Sequence, residues 1–143
     1  MLKTGFVGLG AMGLPMARNL HRAGLLTAVW NRSAEKARAL AGETGCTACA
    51  APEELAELCD VIVLCISADE DVLEIVGAIA PVVSPGTIVI DCSTVSAATA
   101  RQAASILSEK GCGFLDCPVS GGTEGERQGT LSIMAGGAAE DLE

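Results

Sequence analysis

The sequence predicts an α/β domain, a doubly wound and mostly parallel sheet with helices on both faces. Three observations carry that expectation. Short apolar runs alternate with stretches of helical periodicity along most of the 143 residues, as strand–helix–strand units with right-handed crossovers do. The run Val61-Ile62-Val63-Leu64-Cys65-Ile66 has no polar alternation, which suits a strand covered on both faces. Finally, Gly8-x-Gly10-x-x-Gly13 stands where the first apolar run meets the first helical pattern.

Taken in order, the first strand is expected over 3–8. A helix follows from about residue 12, with Ala17, Leu20 and Ala23 at helical spacing, and stops at Ala23-Gly24. Residues 25–30 form the second strand. Ser33-Ala34-Glu35 opens the second helix with an N-cap signature, and Ala37, Leu40 and Ala41 carry it to Gly42. Residues 45–50 read as a short, weakly specified third strand, Pro52 starts a helix to about Leu58, and 61–66 is the fourth strand. A helix over 69–79 puts Val72, Ile75, Val76 and Ile79 on one face; Pro85-Gly86 turns into a strand over 87–91, a helix spans 96–110, and a sixth strand spans 113–116. The rhythm then breaks into a polar, glycine-rich loop over 120–129. A seventh apolar strand is expected over 130–135, ended by Gly136-Gly137. There is no internal linker, and 143 residues suit a single domain over 1–143.

This is a Rossmann-type arrangement. Its ligand crevice lies at the carboxyl ends of the strands, where strand order reverses. The loops over 8–13, 31–36, 65–69, 91–95 and 118–122 face it. In the first, Gly8 permits the tight turn, Gly10 lets the backbone approach a pyrophosphate, and Gly13 lets helix and strand pack closely, while the helix N-terminus offers N–H groups and a positive dipole. Gly8, Leu9, Gly10, Ala11, Met12 and Gly13 are therefore candidate cofactor contacts. So are Cys65, Ile66 and Ser67 at the carboxyl end of the fourth strand. A glycine triplet alone also occurs in plain turns; the strand before it and the helix behind it favour the phosphate reading.

A domain of this type that takes NAD carries an acidic residue at the end of the second strand, about 20 residues past the glycines, for the ribose 2′-hydroxyl. Here that place reads Asn31-Arg32-Ser33, with Lys36 one turn on. Neutral Asn31 removes a carboxylate that would repel a 2′-phosphate, and Arg32, Ser33 and Lys36 can bind one. An Arg–phosphate bond contributes roughly 1.5–3 kcal/mol, so the expected cofactor is NADP (NADPH). Arg32 as a solvated charge and Ser33 as a simple helix cap is the plainer alternative. After the fifth strand, Ser93, Thr94 and Ser96 suit helix capping as well as ligand binding. Ser120-Gly121-Gly122 can grip a carboxylate through adjacent N–H groups or simply turn the chain.

Composition limits the partners. A net charge of −9 with no basic cluster disfavours nucleic acid, and no apolar run reaches the roughly 18 residues of a membrane span. A small anionic ligand remains compatible. Seven cysteines, an odd number mostly in apolar runs, read as buried thiols of a reducing, cytoplasmic compartment. Cys46-x-x-Cys49 has no second pair and His21 is the one histidine, so no metal site is expected.

The motifs Gly5-Phe6-Val7-Gly8-Leu9-Gly10-Ala11-Met12-Gly13, Asp91-Cys92-Ser93-Thr94, and Asp116-Cys117-Pro118-Val119-Ser120-Gly121-Gly122 followed by Gly129-Thr130-Leu131 closely resemble the β-hydroxyacid dehydrogenase family. That family includes 3-hydroxyisobutyrate dehydrogenase, tartronate semialdehyde reductase and glyoxylate/succinic semialdehyde reductase. Asn31-Arg32-Ser33 looks like the NADP-preferring glyoxylate/succinic semialdehyde reductase branch. The resemblance implies that Ser93, Ser120, Gly121 and Gly122 contact a small anionic substrate and that Thr94 lies against the nicotinamide. It also implies a catalytic lysine beyond the cofactor domain, on a helix leading to an all-helical second domain. Lys3, Lys36 and Lys110, the lysines present, do not match it, so no catalytic residue is assigned here. The expectation is thus the NADP-binding domain of an oxidoreductase cut short before its helical domain, nearly inactive alone, with an exposed interdomain face suited to self-association. A non-catalytic dinucleotide-binding or interaction module is the alternative. A methyltransferase-like nucleotide fold ranks behind both, because Arg32 stands where an adenosine ribose wants an acidic partner.

Overall fold

The computed structural model describes residues 2–117 in full, together with the strand backbones at 119–120, 132–133 and 136–137. The strands are β1 (Thr4–Val7), β2 (Leu26–Trp30), β3 (Thr47–Ala48), β4 (Val61–Leu64), β5 (Ile88–Asp91), β6 (Gly113–Asp116), β7 (Val119–Ser120), β8 (Ser132–Ile133) and β9 (Gly136–Gly137). The helices are α1 (Gly13–Arg22), α2 (Ala34–Thr44), α3 (Pro52–Leu58), α4 (Asp69–Ile79) and α5 (Ala97–Ser108). The main sheet runs β3-β2-β1-β4-β5-β6-β9. Its first six strands pair in parallel, so the chain builds outward from β1 in one direction and then from β4 in the other. The reversal between β1 and β4 opens the crevice that such sheets use for ligands.

Alternation along the strands divides the core in two. Val7, Ala28, Ile62, Leu64 and Val89 pack with Leu55 of α3, Val72, Ile75, Val76 and Ile79 of α4, and Ala103 and Leu107 of α5. Phe6, Val29 and Val63 face the other way, onto Ala17 of α1 and Ala37 and Leu40 of α2. Helices therefore cover both faces of the sheet, and β4 is buried on each, as its unbroken apolar run predicts. Phe6, Leu55, Ile62 and Leu64 are fully buried, each contributing roughly 1.5–3 kcal/mol of transfer free energy.

The ends differ from expectation in instructive ways. β3 has two residues rather than six because its edge position leaves it one partner, β2. Ser33 occupies the N-cap of α2 in extended conformation, but its side chain makes no capping bond. The expected single strand over 130–135 is corrected. Ser132–Ile133 pairs antiparallel with Val119–Ser120 in a separate two-stranded sheet. Gly136–Gly137, expected to end a strand, instead forms the antiparallel edge of the main sheet against Leu115 and Asp116 of β6. Periodicity marks an apolar run here, but not which neighbour its backbone finds.

Candidate functional site

The cleft at the carboxyl ends of the strands is formed first by the turn from β1 into α1. Gly8 has φ of +100°, and a Cβ there would overlap the Cys65 carbonyl oxygen; one on Gly13 would overlap the Gly8 carbonyl oxygen. Both positions therefore exclude a side chain. Gly10 differs: a Cβ on it would meet no atom within 4 Å. The tight glycines draw the loop against the sheet, and the open one leaves its backbone reachable from solvent. At the start of α1 the Leu14 N–H donates to the Gly10 carbonyl at 3.0 Å and Pro15 has no N–H, so the N–H groups that fit a pyrophosphate are those of the loop over 10–13.

Asn31 fastens this loop. Its Oδ1 accepts from the Leu9 N–H at 2.8 Å, and its Nδ2 donates to the Ser33 carbonyl at 3.0 Å. The Leu9 side chain is buried in the core, leaving its backbone as its contribution to the site. Backbone bonds from Gly8 N–H to the Trp30 carbonyl (3.0 Å) and Cys65 N–H to the Val7 carbonyl (2.9 Å) align the ends of β2, β1 and β4.

The resulting cleft has a volume of about 600 Å³. It brings together Gly8, Gly10, Ala11, Met12, Gly13, Asn31, Arg32, Cys65, Ile66, Ser67, Ser93 and Thr94, all singled out in the sequence, and adds Asp71 and Cys92, which were not. Asp71 belongs to an acidic run that reads only as the first turn of α4; its place after the fourth strand, opposite Arg32, is the signal that could have found it. Lys36 and Leu9 line an adjoining groove of about 780 Å³ between α1 and α2, with Arg18, Arg22 and Glu43; Gly10 and Ala11 line both this groove and the cleft. Ser33 lines neither. Ser120 lies in β7, and Gly121 and Gly122 fall outside the described residues.

Beneath the cleft, Ser93 is 3% exposed. Its Oγ accepts from the Ile66 N–H at 2.7 Å, and its own N–H donates to Asp91 Oδ1 at 2.9 Å. Ser93 therefore ties the loop after β4 to the loop after β5. The capping role belongs to Ser96, whose Oγ accepts from the Thr99 N–H at 3.2 Å. Asp69 Oδ2 accepts from Ser96 N–H and Thr99 Oγ1, and these bonds hold its carboxyl below the usual range. Asp91 is fully buried, and its Oδ2 has no hydrogen-bond partner among the described residues. Burial pushes its carboxyl up to about 6, against the pull of the Ser93 hydroxyl and N–H, with Asp116 and Asp69 adding to the rise. Among the described residues, no group of three or more His, Cys, Asp or Glu side chains could hold a metal.

Comparison with known proteins agrees with this geometry. Residues 3–143 match the NAD binding domain of 6-phosphogluconate dehydrogenase. The chain is 38% identical to the NAD-dependent L-serine dehydrogenase of Pseudomonas aeruginosa, covering 100% of this chain and 49% of that protein. It is 41% identical to the probable mitochondrial 3-hydroxyisobutyrate dehydrogenase of Dictyostelium discoideum, covering 97% and 44%. The structure of Mycobacterium tuberculosis 3-hydroxyisobutyrate dehydrogenase with L-serine superimposes with a TM-score of 0.93 at 32% identity, over 99% of this chain and 48% of that one. The chain thus spans about half the length of these relatives and corresponds to their N-terminal, dinucleotide-binding part. With a glycine cradle at the β1–α1 turn and the same fold as these dehydrogenases, the chain belongs to the 6-phosphogluconate dehydrogenase-like, 3-hydroxyisobutyrate dehydrogenase family as its nicotinamide dinucleotide-binding domain.

Proposed function

We propose that this chain binds NADP(H) for an oxidoreductase that transfers a hydride between the cofactor and a small hydroxy acid or aldehyde acid of the glyoxylate, succinic semialdehyde or 3-hydroxyisobutyrate type. The observation that carries the cofactor reading is Arg32 at the rim of the cleft, directly after β2, with neutral Asn31 in the place of the ribose-binding acid. Asn31 is occupied as a backbone staple, so Arg32 is the group that can answer a 2′-phosphate. Bound cofactor supplies the hydride. The chain's own residues would hold and orient it: the 8–13 loop would take the pyrophosphate, and Thr94, which lines the cleft, would bear on the nicotinamide as the family resemblance implies.

The family resemblance puts the general acid for the developing alkoxide on a lysine beyond the cofactor domain, and the lysines present do not match it. Lys3 precedes β1 and Lys110 precedes β6, both at the opposite end of the sheet, and Lys36 faces the α1–α2 groove. These 143 residues alone are therefore expected to reduce glyoxylate or succinic semialdehyde about 10²- to 10⁴-fold more slowly than a protein that supplies a general acid. A reducing, cytoplasmic setting is the reading of an odd number of cysteines lying mostly in apolar runs. Among the described residues no helix is long and apolar enough to cross a membrane.

Calorimetric titration with NADPH and NADH tests the cofactor reading. NADPH is expected to bind at least about tenfold tighter, a difference of about 1.4 kcal/mol, and Arg32→Gln is expected to erase that margin. Equal affinities in the unaltered chain, or tighter NADH binding, would sink it.

A further inference from the structure

Arg32 does not stand alone at the cleft. Its Nη2 lies 3.2 Å from Glu74 Oε2 and 3.5 Å from Asp71 Oδ1. Asp71 and Glu74 are three residues apart on α4, so they present both carboxylates to one spot. They reach across from the far side of the β1/β4 switch point, 39 and 42 residues along the chain from Arg32. Asp71 itself lines the cleft.

We propose that Asp71 and Glu74 are specificity-determining residues that compete with a cofactor 2′-phosphate for Arg32 and so reduce the preference for NADP over NAD. The inference rests on the NADP reading of Arg32. A 2′-phosphate meets a guanidinium that both carboxylates already hold. To be bound it must draw Arg32 out of the α4 pairs. A 2′-hydroxyl makes no such demand, so NAD(H) is spared the cost. The pairs are exposed enough to yield: the side chains of Arg32 and Glu74 are each 63% accessible and that of Asp71 is 31%. Ion pairs of that exposure are weak, so the competitor tempers binding without blocking it.

The test is a double-mutant cycle read by calorimetric binding of NADPH and NADH to the full chain, comparing the unaltered protein, Asp71→Asn/Glu74→Gln, Arg32→Gln, and all three changes together. Neutralising α4 is expected to tighten NADPH by about 3- to 10-fold and to move NADH by less than about twofold. In the Arg32→Gln background the same change is expected to alter the NADPH:NADH ratio by less than about twofold, because the competition has lost its object. An equal gain in both backgrounds would mean general repulsion and would overturn the proposal, as would an unchanged ratio in the Asp71→Asn/Glu74→Gln protein. If Arg32→Gln itself leaves the ratio untouched, the NADP reading fails first and the competition falls with it. If Arg32→Gln collapses the ratio while the α4 variant does not move it, the competition alone is wrong.

Discussion

A single methyl group separates two glycines of the β1–α1 loop, Gly13 and Gly10. Gly13 has no room for a Cβ between Phe6 and the Gly8 carbonyl oxygen. Gly13→Ala is expected to destabilise the fold by roughly 1–3 kcal/mol or more, read as a lowered denaturant midpoint. Gly10→Ala adds its methyl to open space and should change stability by less than about 1 kcal/mol. It should nonetheless weaken NADPH binding at least about tenfold, because that space is where a pyrophosphate approaches the backbone. A Gly10→Ala protein that binds NADPH normally would place the cofactor elsewhere. Asp91 offers a second test at this scale. Its carboxyl is raised to about 6 from the model-compound value of 3.8, so the folded state holds the proton more tightly than the unfolded chain. Its contribution is therefore least unfavourable below about pH 4 and becomes a full penalty above about pH 6, on the order of 2–3 kcal/mol. Asp91→Asn should gain on the unaltered protein as pH rises from 4 to 7 in urea titrations; a gap independent of pH would show that Asp91 does not titrate there.

At the scale of elements, the ties between neighbouring loops decide how the strand ends are held. α4 and α5 share one such tie: Asp69 at the start of α4 accepts from Ser96 N–H and Thr99 Oγ1, while Ser96 caps α5 through the Thr99 N–H. Ser96→Ala is expected to cost about 0.5–2 kcal/mol and to speed amide exchange in the first turn of α5, leaving the β1–α1 loop unaffected. Uniform acceleration across the sheet would mean the cap acts on global stability alone. Ser93, buried below the cleft, joins the loops after β4 and β5 through the Ile66 N–H. The element that bears on substrate in the family resemblance is here also a structural clamp, and its replacement by Ala removes the acceptor of a partly buried N–H.

For the whole molecule, two cores on either side of one sheet bury the thiols. Burial pushes Cys49 up to about 11 and Cys59 and Cys92 up to about 12, and raises Cys112 and Cys117 as well. At pH 8 an alkylating reagent is expected to label Cys46 and Cys65, the two half-buried thiols, well before the other five, which should react only as the chain unfolds. Seven thiols reacting at one rapid rate would contradict the packing. The order of strands and helices through β6, the double burial of β4 and the glycine cradle are legible in the amino-acid sequence, because periodicity and the conformational limits of glycine act over a few residues. So is the place of Arg32 at the end of β2. The folded arrangement adds that Asn31 staples Leu9, that Ser93 clamps the loop at Ile66, that Lys36 lines the adjoining α1–α2 groove, and that Gly136–Gly137 joins the main sheet as an antiparallel edge. It alone paired Arg32 with Asp71 and Glu74. The Arg32 pairs exist because strand order reverses between β1 and β4, bringing the end of β2 and the start of α4 to opposite walls of one cleft; the other contacts likewise join segments that only folding brings together.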